Sequence, residues 1–343
     1  MNKKVKVTLR LLLFLSLGVA MMFLFYYRME PKDRSEFWEA IQSANYVWLL
    51  ASIGLGLFSH VVRAARWGSL LKGIGFNARY PNLFFAVMNM YFFNLAVPRL
   101  GEFTRCTLLF KYEKVPFEKA FGTVLAERAI DMICLLLVMG GAMLWMLPEF
   151  KEMLALLGNE DSAAASSGVP WTLWAVGVAL VLGVLLWVLR KRVALIASLW
   201  LKLRGLLTGI LEGLRSVLKL QRPGRFFFHT LLIWLCYFFM TQVCFFALPE
   251  TAGLGVKAPL AVVAFASLAV LFIPGGVGAF PLMVSGMLIV PGLGGLEFSL
   301  GLALGWIIWS AQTLMILSIG LLALILTPIY NQKSPIAHDP ASA

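Results

Sequence analysis

Charged residues are scarce in this chain. Asp, Glu, Lys and Arg make up 13% of its 343 residues, whereas 60% are hydrophobic, and the mean hydropathy is +0.85. A soluble domain carries roughly 25% charged residues, about twice this share. No polar stretch is long enough to form a large domain outside a membrane, and several runs reach the roughly 20 apolar residues that span a bilayer. The composition therefore predicts an all-α polytopic membrane protein.

Residues that build disulfides, metal sites and nucleotide sites are equally few. The four cysteines (Cys106, Cys134, Cys236 and Cys244) lie in apolar runs without CxxC or Cys/His spacing, which is typical of buried structural cysteines. There are three histidines, and no glycine-rich loop is followed by Lys-Ser/Thr. We expect no catalytic residue, no metal and no cofactor, and hence no ATP-driven motor.

The net charge of +12 does not indicate nucleic acid, because the basic residues stand at the ends of apolar runs, as topology signals do. Segment 9–27 follows a basic start and resembles a signal peptide without a clear cleavage site, so we expect a retained anchor. The predicted full spans are 9–27, 46–62, 120–147, 171–189, 226–248 and 298–326.

Two further apolar segments are interrupted by Pro and Gly at membrane depth. Segment 82–110 breaks at Pro98-Arg99-Leu100-Gly101-Glu102, and segment 259–290 breaks at Pro274-Gly275-Gly276-Val277-Gly278. Hydrocarbon tolerates broken helices only where protein or a cavity covers the freed backbone groups. We interpret both as re-entrant helical hairpins. Two unrelated proline kinks in long helices are the alternative.

The positive-inside rule favours the hairpins. With a cytoplasmic N-terminus, they place 21 Lys and Arg residues inside and 5 outside. Single crossings would instead move the nine basic residues of 190–225 outside. The hairpins then enter from opposite faces, which predicts an inverted repeat. We expect one transmembrane domain, 1–330, with halves of about 40–190 and 191–330, an interfacial amphipathic helix at 193–220 and a cytoplasmic tail at 331–343.

Six charged residues lie inside the predicted membrane region. Each costs about 2.5–3.5 kcal/mol at the bilayer centre, so such residues usually face an interior and have partners. A paired polar network is one interpretation. A path for a phosphate-bearing headgroup is another, because a guanidinium binds carboxylate and phosphate alike. The residues are Arg99, Glu102, Arg105, Glu127, Arg128 and Asp131.

A second polar group ends the span 46–62. Its members, His60, Arg63, Arg66 and Trp67, fit side chains that reach back to the interface as anchors. The alternative is a lipid-headgroup site, since basic clusters at this depth bind lipid phosphates.

The motifs occur in a recognisable order. Arg63-x-x-Arg66-Trp67 precedes Asn94-x-x-x-Pro98-Arg99-x-Gly101-Glu102-x-x-Arg105, followed by Glu127-Arg128-x-x-Asp131 and Pro274-Gly275-Gly276-Val277-Gly278. The chain resembles the lysylphosphatidylglycerol synthase transmembrane-region family over almost its whole length. The resemblance implies a flippase-like, lipid-translocating domain, which in bifunctional members carries outward the aminoacylated lipid that a cytoplasmic aminoacyltransferase makes.

The expected function is translocation of an anionic or aminoacylated phospholipid, or of a polyprenyl-phosphate lipid. The chain ends soon after its last span, so we expect a stand-alone member without the synthase domain. Membrane lipids, and a separately encoded aminoacyltransferase or glycosyltransferase, are the expected partners. The expected location is a prokaryotic cytoplasmic membrane, with both termini cytoplasmic. The alternative is an integral membrane enzyme or scaffold in lipid-linked glycan synthesis.

Overall fold

The computed structural model describes residues 27, 29–97, 99–149, 220 and 222–333. These residues form helices and turns, with no strand among them, which confirms the predicted all-α class. In chain order the helices are α1 (Pro31–Ser43), α2 (Tyr46–Gly73), α3 (Tyr80–Ala96), α4 (Leu100–Glu113), α5 (Phe117–Trp145), α6 (Pro223–Phe245), α7 (Pro249–Ala252), α8 (Lys257–Ala261), α9 (Ser267–Phe272), α10 (Ala279–Leu288) and α11 (Phe298–Lys333).

Three of the described helices, α2, α6 and α11, are long and apolar enough to cross a membrane. They correspond to the predicted spans 46–62, 226–248 and 298–326. Helix α5 corresponds to the predicted span 120–147, and its 29 residues give it a length of about 43 Å. The spans 9–27 and 171–189, the helix 193–220 and the tail 331–343 lie almost wholly outside the described residues.

Helices α2 and α6 pack against each other in opposite directions. The amide of Asn45, before α2, donates to Ala247, after α6, at 2.8 Å. One turn or more into the pair, the Ser52 hydroxyl donates to the Met240 carbonyl at 2.8 Å. The far end of α2 reaches Leu220, which precedes α6, because a Cβ on Gly73 would meet the Leu220 side chain. The two helices thus run antiparallel along their length.

The first interrupted segment folds back on itself. Helix α3 ends at Ala96, and α4 starts at Leu100. The far end of the pair is closed by Asn82, whose side-chain amide donates to Glu113. Near the turn, a Cβ on Gly101 would lie 2.0 Å from the Met90 carbonyl oxygen, so only glycine permits this approach of α4 to α3. We call α3 and α4 the first hairpin.

The second interrupted segment folds back as well. A π-helical turn, Val262–Ala266, joins α8 to α9, and a 3₁₀ turn, Pro274–Gly276, follows α9. Gly275, Gly276 and Gly278 all have positive φ, a conformation that glycine adopts without strain. The two ends of the segment meet in one apolar cluster, which contains Ala261, Ala264, Val290 and Leu293. We call residues 257–288 the second hairpin.

The hairpins have their open ends at opposite ends of helix α5. The first hairpin ends at Glu113, shortly before α5 begins at Phe117. The second begins at Lys257, whose ammonium contacts Glu149, just beyond the other end of α5, at 2.5 Å. The open end of the first hairpin therefore lies near the start of α5, and the open end of the second hairpin lies near the end of α5.

The turns of the two hairpins meet between these ends. A Cβ placed on Gly275 would lie 3.5 Å from a methyl carbon of Leu95, which makes this ordinary contact distance. The Trp309 indole on α11 donates to the Gly275 carbonyl at 2.7 Å and so attaches the second turn to α11. Leu95 and Gly275 therefore mark the contact between the hairpin turns.

Candidate functional site

Two arginines of α2 point into the protein and bind carboxylates of α5. Arg63 Nη1 lies 2.7 Å from Asp131 Oδ2 and 3.4 Å from Glu127 Oε1. Arg66 lies 2.8 Å from both carboxylates, through Nη2 to Glu127 Oε1 and through Nη1 to Asp131 Oδ1. Positions 63 and 66, like positions 127 and 131, share one helix face, because residues three or four apart are neighbours on a helix. The spacing of both pairs thus produces a four-membered cluster.

The first hairpin adds a third arginine to this cluster. Arg105 on α4 places Nη2 2.7 Å from Glu127 Oε2, so both oxygens of Glu127 are engaged. The Arg105 guanidinium also stacks 3.6 Å from the centre of the Trp67 ring, a favourable cation–π distance. Trp67 is itself fixed by its indole N–H, which donates to the Thr123 hydroxyl at 2.9 Å. Arg105 therefore ties the hairpin to both long helices.

Helix α6 completes the surroundings of the α2 arginines. Arg63 Nη2 donates to the Tyr237 hydroxyl at 2.5 Å, and Arg66 Nη1 donates to the Thr230 hydroxyl at 3.1 Å. Thr230 and Tyr237 are seven residues apart and so share one face of α6. We call Arg63, Arg66, Arg105, Glu127 and Asp131 the inner cluster. Its three arginines and Glu127 are buried, with Arg66 at 0% and Glu127 at 1% exposure, and Asp131 is 16% exposed.

A second ion pair lies beside the inner cluster, and its arginine is more exposed than those of the cluster. Arg128 Nη2 lies 2.8 Å from Glu102 Oε1, and the side chains are 38% and 14% exposed. The side-chain nitrogen of Asn94 donates to both oxygens of Glu102 at 3.3 Å. The side-chain oxygen of Asn94 accepts a hydrogen bond from the backbone N–H of Gly101 at 2.8 Å. We call Arg128 and Glu102 the outer pair. It connects α5 to the turn of the first hairpin.

The two groups join at a shared sulfur. Arg105 Nη1 and Arg128 Nη2 each lie 3.5 Å from Met90 Sδ. Together the inner cluster and the outer pair contain four arginines and three carboxylates, so they have one positive charge in excess. Arginines are fully protonated at neutral pH, and a carboxylate held by guanidinium groups keeps its charge. The arrangement can therefore accept one further negative charge.

Arg99 was predicted in this network and lies elsewhere. It forms the turn between α3 and α4, with φ of 65°, and is exposed. It makes no ion pair with any part of the chain that the structure describes. The reason is geometric, since a residue at the turn projects away from the helix faces that carry Glu102 and Arg105.

The assignment of His60, Arg63, Arg66 and Trp67 to the headgroup interface stays a prediction, and the structure gives their contacts within the protein. All four are buried between helices. Arg63 and Arg66 bind carboxylates, Trp67 stacks on Arg105, and the His60 ring lies 4.4 Å from the Tyr91 ring. Buried charges require partners, and α5 supplies carboxylates to both arginines.

The predicted turn residues lie where the chain reverses. Gly101 starts the return of the first hairpin, and Gly275, Gly276 and Gly278 form the second turn, which begins at Pro274. Pro98 lies outside the described residues. Sequence reasoning missed the hydroxyl partners Thr230 and Tyr237, although their common face on an apolar helix was a usable signal.

Among the described residues, one group of carboxylates is close enough to hold a metal ion. Oxygens of Asp33, Glu36 and Glu297 lie within 4.8 Å of one another. Glu36 is already paired with Lys32 at 3.4 Å and accepts the Ser299 hydroxyl at 3.0 Å. This group is partly exposed and remote from the arginines, and we assign it no ligand.

Comparison with known proteins supports the resemblance seen in the motifs. The model of the lysylphosphatidylglycerol synthase TM region matches residues 8–320. The UPF0104 membrane protein MJ1595 of Methanocaldococcus jannaschii is 32% identical over 92 residues, which cover 26% of this chain and 27% of that protein. The match thus spans little more than a quarter of this relative. No solved structure matches the chain. On its sequence and its apolar helices, the chain is a multi-pass membrane protein that belongs to the lysylphosphatidylglycerol synthase TM region family.

Proposed function

We propose that this protein moves a phosphate-bearing lipid between the leaflets of a prokaryotic cytoplasmic membrane without changing it chemically. The lipid is an anionic or aminoacylated phospholipid or a polyprenyl-phosphate lipid. In this proposal the chain forms one domain, both termini are cytoplasmic, and the hairpins are re-entrant elements of an inverted repeat that enter from opposite faces.

The observation that carries the proposal is the set of four arginines and three carboxylates beside the first hairpin. Ionisable residues within membrane segments are costly and usually mark a substrate path. A guanidinium binds phosphate in the same forked geometry as carboxylate. The carboxylates thus satisfy the arginines when no lipid is bound, and a headgroup phosphate can take the place of one of them.

The hairpins supply the second support. They open toward opposite ends of α5, and their turns touch at Leu95 and Gly275. In this proposal a headgroup reaches Arg128 from one membrane face. The contact between Leu95 and Gly275 then separates it from the opposite face. Separation of the turns would extend the polar route, while acyl chains remain in the bilayer. Because only the headgroup needs polar contacts, a few buried charges suffice.

Membership of the family also supports a function in lipid transport. Its description refers to the transmembrane region of a lysylphosphatidylglycerol synthase, whose lipid is a headgroup-modified phospholipid. We propose that a separately encoded aminoacyltransferase or glycosyltransferase supplies the lipid that this chain transports. The driving force is then a gradient or the consumption of the lipid on the far side.

The test is lipid movement in liposomes. Purified protein is reconstituted with fluorescent lipids of several headgroups, and the fraction accessible to an impermeant quencher is followed over time. Wild type should move at least one headgroup class, and Arg128→Ala should reduce the rate at least tenfold. Lys257→Gln removes an ion pair away from the cluster and serves as the matched control.

Two results would overturn the proposal. One is wild-type protein that is folded yet moves no lipid above protein-free liposomes. The other is chemical turnover of the lipid, detected by mass spectrometry of the extracted lipids, which would identify an enzyme instead. Equal rates for wild type, Arg128→Ala and Lys257→Gln would show that Arg128 does not line the path of the lipid headgroup.

A further inference from the structure

The inner cluster and the outer pair differ in the number of arginines that hold each carboxylate: two or three in the inner cluster, and one for Glu102. In the inner cluster, all four carboxylate oxygens of Glu127 and Asp131 are within 2.8 Å of an arginine nitrogen. Its arginines and Glu127 are buried, whereas Asp131 is 16% exposed, and removal of Glu127 would leave buried charges alone. This cluster is therefore a fixed junction between α2, α4 and α5.

The outer pair is held by fewer contacts. Arg128 uses one nitrogen, Nη2, for Glu102 and for the Met90 sulfur. Its Nη1 and Nε make no hydrogen bond with the described residues. Both edges of a guanidinium that bind an oxyanion bidentately, Nη1 with Nη2 and Nε with Nη2, include Nη2, so a phosphate bound in this fork must displace Glu102 from Nη2. The Arg128 side chain is 38% exposed, so a ligand can reach it.

From this difference we infer that Arg128 is the headgroup-binding residue, that Glu102 competes for it as an internal anion, and that the ligand is a phosphodiester lipid with one net negative charge. This inference rests on the proposed function and gives it a substrate class. The inner cluster holds the hairpin in place and does not exchange partners.

The charge count selects the class of lipid. The seven connected side chains have one positive charge in excess, which one phosphodiester neutralises. A zwitterionic headgroup would leave the excess unchanged, and a lipid diphosphate would reverse it. Uncompensated charge is expensive where water is scarce, so a single net negative charge is the most favourable fit. Arg99 is outside this count, because it does not contact the set.

Glu102 has a specific role in this scheme. It occupies Arg128 in the absence of lipid and is itself supported by the Asn94 amide, which stays with it when Arg128 turns to a phosphate. Neutralising Glu102 removes the competitor and leaves the binding arginine in place. A salt bridge that is only structural has no such consequence for lipid affinity.

The experiment measures binding to the full chain in detergent, by native mass spectrometry with short-chain lipids. Wild type should bind phosphatidylglycerol at least about tenfold more tightly than phosphatidylcholine or a polyprenyl diphosphate. Arg128→Gln should abolish the preference. Glu102→Gln should increase the affinity for phosphatidylglycerol about three- to tenfold. The loss of one competing charged hydrogen bond to Arg128 corresponds to roughly a tenfold change in affinity. Lys257→Gln is the control and should match wild type.

Each contrary result has a defined meaning. Weaker phosphatidylglycerol binding by folded Glu102→Gln overturns the competition. Tighter binding of the diphosphate overturns the charge count and brings Arg99 into the site. Equal competition by the soluble, deacylated glycerophosphodiester would assign the site to a free phosphate ester. Selective binding without movement in liposomes refutes translocation but keeps the anion site, whereas movement without selectivity refutes the site alone.

Discussion

The two hairpins are attached to the rest of the protein by different chemistry at equivalent positions. Arg128 and Trp309 each lie 11 residues after the first residue of the long helix that follows their hairpin. Arg128 binds the Glu102 side chain of the first hairpin at 2.8 Å. Trp309 donates to the Gly275 backbone carbonyl of the second at 2.7 Å. The first attachment is ionic and can exchange its partner for another anion, whereas the second is neutral.

The same contrast holds one turn further along. Asp131 and Gln312 each lie 14 residues into their helices, and both contact α2. Asp131 binds Arg63 and Arg66, while the Gln312 amide donates to the Ser52 hydroxyl at 2.9 Å. At these positions α5 makes charged contacts and α11 makes neutral ones, and we call these two sets of contacts the charged half and the neutral half. We expect the neutral half to hold position while the charged half binds lipid.

Glu127→Leu should have the largest effect on stability. It leaves Arg66 and Arg105 buried without their shared carboxylate, and breaking a buried ion pair costs about 3–5 kcal/mol. Gln312→Leu, in the neutral half, loses neutral hydrogen bonds worth about 1 kcal/mol. Thermal unfolding in detergent and the yield of monodisperse protein measure both. Equal losses for the two variants would contradict the contrast between the halves.

The hairpin turns differ in how close they come to their neighbours. A Cβ on Gly101 would lie 2.0 Å from a backbone oxygen of α3, whereas a Cβ on Gly275 has room at 3.5 Å. Gly101→Ala should therefore cost about 1–3 kcal/mol through displaced backbone. Gly275→Ala meets only the penalty of about 1 kcal/mol for a positive φ. Unfolding midpoints that rank Gly275→Ala below Gly101→Ala would show that the first hairpin is less tightly packed than the structure indicates.

The turns and the carboxylates were within reach of sequence reasoning. Pro and Gly clusters in apolar runs have few structural uses other than a break, and helices end at both predicted breaks, while the re-entrant course of the two hairpins stays a prediction. Glu127 and Asp131 were identified because a carboxylate in an apolar helix needs a partner. The partner of each carboxylate could not be assigned from the neighbouring sequence, because Arg66 and Glu127 are 61 residues apart in the chain. Arginines near a helix end fit an anchor equally well, and only the packing of α2 on α5 shows which carboxylates they bind.

The pair at the open end of the second hairpin predicts a response to pH. The hydrogen bond from Lys257 holds the pKa of Glu149 below its ordinary value of 4.5. A lowered pKa in the folded protein stabilises it above the ordinary pKa, and this contribution is lost as the pH falls through the folded value. The difference in unfolding midpoint between wild type and Lys257→Gln should therefore be present at pH 7 and shrink below pH 4.5. A difference independent of pH would exclude this pair as its cause.

Arg99→Gly should have the smallest effect, and it tests whether the two turns differ in purpose. The second hairpin has glycine at its left-handed positions, but the first has Arg99 there, with φ of 65°. An arginine in this conformation costs about 1 kcal/mol, so Arg99→Gly should leave the unfolding midpoint unchanged or raise it slightly, since glycine's greater freedom in the unfolded chain offsets part of the gain. If the exposed guanidinium attracts anionic headgroups to the turn, the variant should also slow phosphatidylglycerol movement about twofold at low salt. That deficit should fade at high salt, where exposed charges are screened. A clear drop in stability would mean instead that Arg99 holds the turn together.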